Sequence, residues 1–217
     1  MKIFRRALYG FLIVCLIALF AALLFRIYIQ EQYPEESVRM VFTEQLTEYY
    51  NATDDFKVYT QKIRAPYDDN NDGNFFAEEL YVVPNADHLQ VTLRYSDAAL
   101  ERIAKAYGKT EPLVPSEGLF RYVLTASYNS DESGNDFRTY ESAYCKETSA
   151  YMYHYDKLAF DGAEFDGAAW MRVDIYLAGE EKLFGSIIVY ESNFEYDGDV
   201  HPYELEERSI DKGDLPQ

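Results

Sequence analysis

Cysteine is almost absent from this chain of 217 residues, which contains only Cys15 and Cys145. Cys15 lies in an apolar run near the N-terminus, so the rest of the chain has a single cysteine and no possible internal disulfide. Small secreted modules usually depend on several disulfides, and the chain does not fit that class. The composition fits a bacterial surface protein better, with a fold held by packing and hydrogen bonds.

Basic residues are also few, and they are unevenly placed. The chain has 20 Lys+Arg against 38 Asp+Glu, and four of the basic residues precede the first acid, Glu31. Residues 27–217 therefore carry 16 basic and 38 acidic residues, a net charge of −22. A body of this charge repels phosphate backbones, which argues against nucleic acid as a partner.

One long apolar run is present, at residues 7–25, with the sequence ALYGFLIVCLIALFAALLF. As a helix that rises about 1.5 Å per residue, it spans roughly 28 Å, close to the thickness of a bilayer core. Lys2, Arg5 and Arg6 precede it, which predicts a cytoplasmic N-terminus and a C-terminal body outside the plasma membrane. A cleaved signal peptide is the alternative, but its apolar region is shorter and ends at small residues. We expect an uncleaved single-pass signal anchor.

The segment after the apolar run has a helical pattern. Residues 34–50 begin at Pro34, which suits a first helical position, and their apolar residues recur at helical spacing. The predicted organisation is a cytoplasmic tail at 1–6, a transmembrane anchor at 7–25, a linker helix at 26–50 and an extracytoplasmic β-rich domain at 51–217.

From residue 79 onward, apolar residues tend to recur at every second position. The stretch 89–95 alternates strictly, which predicts a half-buried strand after a turn at 84–87, and Asp97 is expected to cap a short helix after it. Further strands are predicted at 119–128, 137–145, 150–160, 169–177 and 183–190, the last as a central strand. The expected fold class is mainly β with minor α. It comprises an N-terminal transmembrane helix and a linker helix, then an antiparallel β-sandwich-like domain with one short helix.

Two stretches carry a resemblance. Tyr81–Gly108, YVVPNADHLQVTLRYSDAALERIAKAYG, and Tyr153–Gly162, YHYDKLAFDG, resemble segments of an uncharacterised group of small single-pass membrane-anchored proteins of Gram-positive bacteria. With the anchor, the resemblance covers about a quarter of the chain. It implies the same membrane topology and a β-rich outer domain, and it transfers neither an activity nor site residues.

The most specific motif is an acidic loop at residues 68–79, DDNNDGNFFAEE. It satisfies D-x-[DN]-x-[DN]-G-x5-E, the calcium loop of an EF-hand, in which oxygen atoms surround the ion. Pro66 before the loop and the β-prone residues after it do not match the flanking helices of an EF-hand, so a calcium site here would have another form. A solvated polar loop is the alternative. The candidate metal ligands are Asp68, Asn70, Asp72, Asn74 and Glu79.

Enzymatic motifs are missing. There is no H-E-x-x-H pair, no G-x-S-x-G elbow and no phosphate-binding glycine loop, and Cys145 has the pattern of a buried or half-buried strand residue. A tyrosine row at 151, 153 and 155 indicates either a stacking surface for sugars or a half-wet sheet.

The sequence therefore favours a non-catalytic, membrane-anchored domain that binds a protein or an envelope component. One alternative is a calcium-responsive surface domain that uses the 68–79 loop. A second is a carboxylate-dependent glycan hydrolase, for which the sequence has too many acids to select a pair.

Overall fold

The structure, a computed structural model, separates into two compact units, Met1–Glu35 and Glu36–Gln217. The described residues are 2–31, 40–54, 56–63, 68–69, 73–128, 136–150, 152–192, 194–196, 199–201 and 206–208.

The first unit contains a single described helix, α1 (Lys2–Glu31). Every side chain from residue 9 to residue 25 is exposed. Across the described residues, none of the helices reaches the combination of length and apolar character needed to span a membrane. The transmembrane prediction for residues 7–25 therefore finds no support among these helices.

The prediction of one continuous linker helix at 26–50 is wrong at residues 40–43. Met40–Thr43 is not helical, and a separate helix, α2 (Glu44–Ala52), begins after it. The reason is local, because Thr43 has extended backbone angles and its hydroxyl accepts a hydrogen bond from the Leu46 amide, as an N-cap residue does. The predicted start of the helix at Pro34 lies outside the described residues.

The second unit is built from antiparallel strands. The described strands are β1 (Val58–Lys62), β2 (Asp68–Asp69), β3 (Phe75–Val83), β4 (His88–Ser96), β5 (Phe120–Tyr128), β6 (Asp136–Glu141), β7 (Tyr144–Ala150), β8 (Tyr153–Asp161), β9 (Ala168–Leu177), β10 (Leu183–Glu191), β11 (Phe194–Tyr196), β12 (Asp199–His201) and β13 (Glu206–Arg208). A six-stranded sheet has the order β13-β1-β3-β4-β8-β7, a five-stranded sheet has the order β2-β10-β9-β5-β6, and β11 pairs with β12.

Alternate residues of the two large sheets form one buried cluster. In β5, the apolar residues at every second position from Phe120 to Tyr128 belong to it, and Leu89, Val91 and Leu93 of β4 contribute from the other sheet. The mainly β, antiparallel prediction is therefore confirmed, and the period-two pattern correctly identified which residues of β5 pack in this cluster.

The predicted hairpin and short helix are also present. β3 and β4 are joined through a turn of 3₁₀ helix, Pro84–Ala86, and Asp87, which adopts a left-handed backbone with φ +47°. The helix α3 (Asp97–Ala106) follows β4, but Ser96 rather than Asp97 is its N-cap, because the Ser96 hydroxyl accepts from the Ala99 amide at 3.3 Å. Gly108, with φ +64°, follows the end of α3.

Two strand predictions need correction. The single strand expected at 137–145 is two strands, β6 and β7, that lie in different sheets. The chain changes sheets between Ser142, whose amide donates to the β5 carbonyl of Tyr122, and Ala143, whose amide donates to the β8 carbonyl of Ala159. The strand expected at the centre, β10, pairs with β9 on one side and, among the residues that the structure describes, with the two-residue β2 on the other.

Candidate functional site

The predicted calcium ligands are distributed over different elements. Asp68 begins β2, which pairs with β10 in the five-stranded sheet. Asn74 is buried immediately before β3, and Glu79 is buried within β3, opposite Lys62 of β1 and Thr92 of β4. Asn70 and Asp72 lie outside the described residues.

The geometry of β3 separates two of these ligands. Because Phe75–Val83 is extended, Asn74 and Glu79 are about 16 Å apart along the strand at 3.3 Å per residue. An EF-hand loop curls its last carboxylate back to the ion, and the structure does not bring Glu79 back in this way. Where side chains are described, no group of three or more His, Cys, Asp or Glu residues is arranged to hold a metal ion. Gly73, in contrast, has the left-handed backbone, φ +68°, that the motif needs for its sharp turn.

A polar site that the sequence did not reveal lies inside the second unit. We call Tyr95, Tyr122, Glu147, His154 and Asp156 the interior polar cluster. Its members come together through strand register, which places Glu147 of β7 opposite Asp156 of β8, and His154 of β8 opposite Tyr95 of β4. Tyr122 reaches the cluster from the five-stranded sheet.

Asp156 is the centre of this cluster. Its side chain is 3% exposed, and its two oxygens accept hydrogen bonds from the hydroxyls of Tyr122 and, at 3.3 Å, Tyr95. Burial raises the pKa of Asp156 to about 7, and the nearby Glu147 carboxylate acts in the same direction against the hydrogen bonds of both tyrosines. The carboxyl is therefore poised to gain or lose its proton near neutral pH.

A chain of contacts leads from the cluster to the surface. Ser149 Oγ donates to Glu147 Oε1 at 2.5 Å and lies 2.8 Å from His154 Nδ1. The other ring nitrogen of His154, Nε2, is 2.9 Å from Oδ1 of Asp97, whose side chain is 78% exposed. Glu147 and His154 are therefore joined to groups that water reaches, and they act on the buried Asp156 carboxyl through their charge.

The cluster lacks an activated nucleophile. Burial, with the Asp156 and Glu117 charges, raises the pKa of the Cys145 thiol to about 12, so the thiol stays protonated and unreactive at neutral pH. Burial also raises the pKa of Tyr95 and Tyr122. Asp156 and Glu147 lie opposite each other on neighbouring strands, as the two catalytic carboxylates of a glycosidase could. Asp156, however, is buried away from solvent, and both of its carboxylate oxygens already accept hydrogen bonds from tyrosines. The geometry gives the hydrolase alternative no support.

A group of aromatic and arginine side chains lies on the outer side of the five-stranded sheet. We call Phe137, Trp170, Arg172, Tyr176 and Arg121 the aromatic–arginine face. Phe137 is 56% exposed and its ring centroid lies 5.9 Å from that of Trp170. Arg172 lies over Trp170 and Arg121 over Tyr176, at 5.3 and 4.2 Å from the ring centroids. This side of the sheet therefore carries flat rings with guanidinium groups stacked over them.

The tyrosines at 153 and 155 do not form a stacking surface for sugars, which was one of the two interpretations of this row in the sequence. Tyr155 is buried, and the Arg94 guanidinium lies 4.7 Å from the Tyr153 ring centroid. Tyr151 lies outside the described residues. Tyr153 and Tyr155 are therefore packing residues of β8 rather than an open stacking platform.

Comparison with known proteins adds no relative. No family model, no curated protein and no solved structure matches this chain. The resemblance of Tyr81–Gly108 and Tyr153–Gly162 to single-pass proteins of Gram-positive bacteria therefore stays a prediction.

Proposed function

We propose that this chain is a single-pass protein of the plasma membrane. Its β-rich, sandwich-like domain would lie outside the membrane and bind a protein or an envelope component without catalysis. The observation that carries the proposal is the uncharged apolar run of the sequence at 7–25, whose side chains from residue 9 to residue 25 are exposed. Exposed apolar surface on every side of a helix is unfavourable in water, and a lipid environment removes that cost.

Charge supports the proposed orientation. The residues before the run include Lys2, Arg5 and Arg6 and no acid, whereas residues 27–217 carry a net charge of −22 from 16 basic and 38 acidic residues. Basic segments are retained on the cytoplasmic side, so the acidic domain would face outward. The enclosed Asp156 and the raised pKa of the Cys145 thiol support a role without catalysis.

Membrane association and orientation can be measured together. We expect the full chain to resist extraction by alkaline carbonate, and a C-terminal alkaline phosphatase fusion to be active in a bacterial host. A matched variant with Lys2→Glu, Arg5→Glu and Arg6→Glu is expected to lose much of the phosphatase activity while remaining in the membrane fraction. Recovery of the wild-type chain in the carbonate-soluble fraction would refute the anchor, and an inactive wild-type fusion would refute the orientation.

The aromatic–arginine face is the surface that we propose for the partner. Aromatic and arginine side chains contribute strongly to binding where they are partly exposed on a rigid sheet, and β9 carries Trp170, Arg172 and Tyr176 on one face. Asp174 Oδ2 accepts from Thr125 Oγ1 at 2.6 Å, Asp174 Oδ1 accepts from Ser186 Oγ at 2.5 Å, and Arg172 Nε lies 3.0 Å from Asp174 Oδ1. These contacts hold the Arg172 side chain in one orientation before binding, so less conformational entropy is lost when a partner binds to the aromatic–arginine face.

Crosslinked pull-downs test this surface. We expect a partner that wild type enriches to fall at least roughly tenfold in the Phe137→Ala, Trp170→Ala double variant, because interface aromatics commonly contribute 2 kcal/mol or more. Val114→Ala is the control, since Val114 is 71% exposed and lies in the segment between α3 and β5. Equal enrichment by wild type and the double variant would move the binding surface elsewhere.

A second proposal is a calcium-responsive domain that uses the 68–79 loop. The left-handed backbone of Gly73 supports it. We expect millimolar calcium, but not magnesium, to raise the melting midpoint of the full chain above its value in EDTA, because a ligand that binds only the folded state stabilises it. Asp68→Ala with Asp72→Ala is expected to abolish the rise, and Asp197→Ala with Asp199→Ala to leave it. A midpoint that calcium does not change would reject the loop as a site.

A further inference from the structure

Residues 40–52, which we call the docking segment, cover part of the outer side of the six-stranded sheet. Leu46 of α2 is fully buried and packs in a cluster with Met40 and with Tyr81 and Val83 of β3. Gln45 Nε2 also donates to the Ala86 carbonyl at 2.9 Å. The docking segment is thus part of the β-rich unit.

Gln90 of β4 holds the docking segment through its amide group. Its Oε1 accepts from the Val41 amide at 2.8 Å, and its Nε2 donates to the Val41 carbonyl. This pair of hydrogen bonds fixes the orientation of the Gln90 amide, because a rotated amide would place donor against donor and acceptor against acceptor at Val41.

The fixed amide determines the protonation of His88. Gln90 Nε2 lies 2.7 Å from His88 Nε2, so it donates its second hydrogen there and that ring nitrogen is an acceptor. His88 Nδ1 then carries the ring proton and donates to Asp161 Oδ1 at 2.6 Å. Asp161 Oδ1 also accepts from the Thr43 hydroxyl at 2.9 Å, which closes the network onto the docking segment.

We propose that His88, Gln90, Asp161 and Thr43 form a proton-sensitive latch. The latch keeps the docking segment on the sheet while the His88 ring is neutral, and releases the segment when the ring takes up a second proton. A proton on Nε2 would face the Gln90 donor, so either the His88–Gln90 hydrogen bond or both Val41–Gln90 hydrogen bonds must break. This inference goes beyond the proposed function and does not rest on the membrane anchor.

The surroundings of His88 favour the neutral ring. The residue is 1% exposed, and burial lowers its pKa against the opposing effect of Asp161. Among the described groups, Asp161 of β8 is the titratable one in contact with the ring, while the neighbour on β3 is the apolar Val83. Because the folded pKa lies below the ordinary value of 6.5, docking is favoured above that pH and weakens as the pH falls below it.

Hydrogen exchange of the full chain in neutral detergent tests the latch. After correction for the intrinsic pH dependence of exchange, we expect protection of residues 44–52 to fall roughly tenfold between about pH 7.5 and pH 5, the effect of one lost hydrogen bond. Protection of β9 is expected not to fall over the same range, because the buried Asp156 carboxyl makes the folded domain more stable at the lower pH. His88→Gln, which cannot titrate, is expected to show equal protection at both pH values, and His154→Gln to behave as wild type does.

Two results would overturn the latch. One is wild-type protection of residues 44–52 that does not change with pH, and the other is an equal fall in His88→Gln. If His88→Gln does not fold, nitrogen-15 NMR of the wild-type imidazole decides the question. We expect the Nδ1–H tautomer at about pH 7.5 and a His88 titration that coincides with the loss of protection. Retained protection after His88 has titrated would refute the proposal.

Discussion

Between about pH 4 and pH 8, the free energy of unfolding of the Asp156→Asn variant is expected to rise by about 4 kcal/mol relative to wild type. The reason is the enclosed carboxyl of Asp156, whose pKa burial raises from 3.8 to about 7. A difference of about three pH units between the folded and unfolded pKa values corresponds to about 4 kcal/mol. Asparagine occupies a similar volume and carries no charge at any pH.

The sign follows from the protons that each state binds. Between pH 3.8 and about 7, the folded chain keeps a proton on Asp156, whereas the unfolded chain has released it. Stability from this group is therefore fully present below pH 3.8 and is lost as the pH rises towards 7. The Asn variant has no such loss, so its relative stability increases with pH even if the substitution weakens the hydrogen bonds from Tyr95 and Tyr122 by a constant amount.

Urea unfolding measures this difference, with the fluorescence of Trp170, the only tryptophan of the chain, as the signal. Asp174→Asn is the matched control. Asp174 is also a buried aspartate, but Arg172 Nε lies 3.0 Å from its carboxylate, so replacement leaves a cation without its partner and gives no gain at high pH. A constant difference between Asp156→Asn and wild type from pH 4 to 8 would show that Asp156 ionises in the folded state as it does in the unfolded one.

The strands were predictable where apolar residues alternate with polar ones along the sequence. In β5 the residues from Phe120 onward that face the core could be identified in this way, although Thr125 and Ser127 on its other face are also buried. β4 has the same alternation, and Gln90 and Thr92, which the sequence placed on a solvated face, are likewise buried at 2% exposed. Polar residues that are buried and hydrogen-bonded have the same sequence pattern as polar residues in water. The docking segment over Gln90 could not be inferred from β4 alone.

The change of sheets between β6 and β7 had no sequence signal. Ser142-Ala143 contains neither glycine nor proline, and its amides continue hydrogen bonding to β5 on one side and to β8 on the other. Turn chemistry normally marks such boundaries. Here the boundary depends on pairing with β5 and β8, whose paired residues Tyr122 and Ala159 lie 20 and 16 residues away from Ser142 and Ala143, outside the span of a local turn pattern.

The interior polar cluster had one usable signal. Asp156, Leu158 and Phe160 occupy every second position of β8. The alternation of a strand therefore predicts that the Asp156 side chain points to the same side as these two core residues. Its partners Tyr122 and Glu147 come from other strands, and only the register brings them together. The EF-hand pattern shows the limit of local spacing, because the spacing of the motif matches while the extended β3 places Asn74 and Glu79 far apart along the strand, and the calcium site stays a prediction.

A single side-chain substitution tests whether α2 packs against the sheet. Leu46→Ala is expected to lower the free energy of unfolding of the β-rich unit by about 2–5 kcal/mol at pH 7.5, because it removes a fully buried side chain and leaves a cavity. A linker helix without contacts to the sheet would tolerate the same change, since alanine favours helix. Urea unfolding followed by Trp170 fluorescence again gives the measurement.

Glu48→Ala is the control for this truncation, because Glu48 lies on the exposed side of the same helix. Its expected effect is within about 0.5 kcal/mol of wild type, as is usual for surface substitutions. If Leu46→Ala were equally mild, α2 would not belong to the folded unit at neutral pH, and the latch formed by His88 and Gln90 would have nothing to hold. A large loss for Leu46→Ala alone would instead make the docking segment a structural part of the domain.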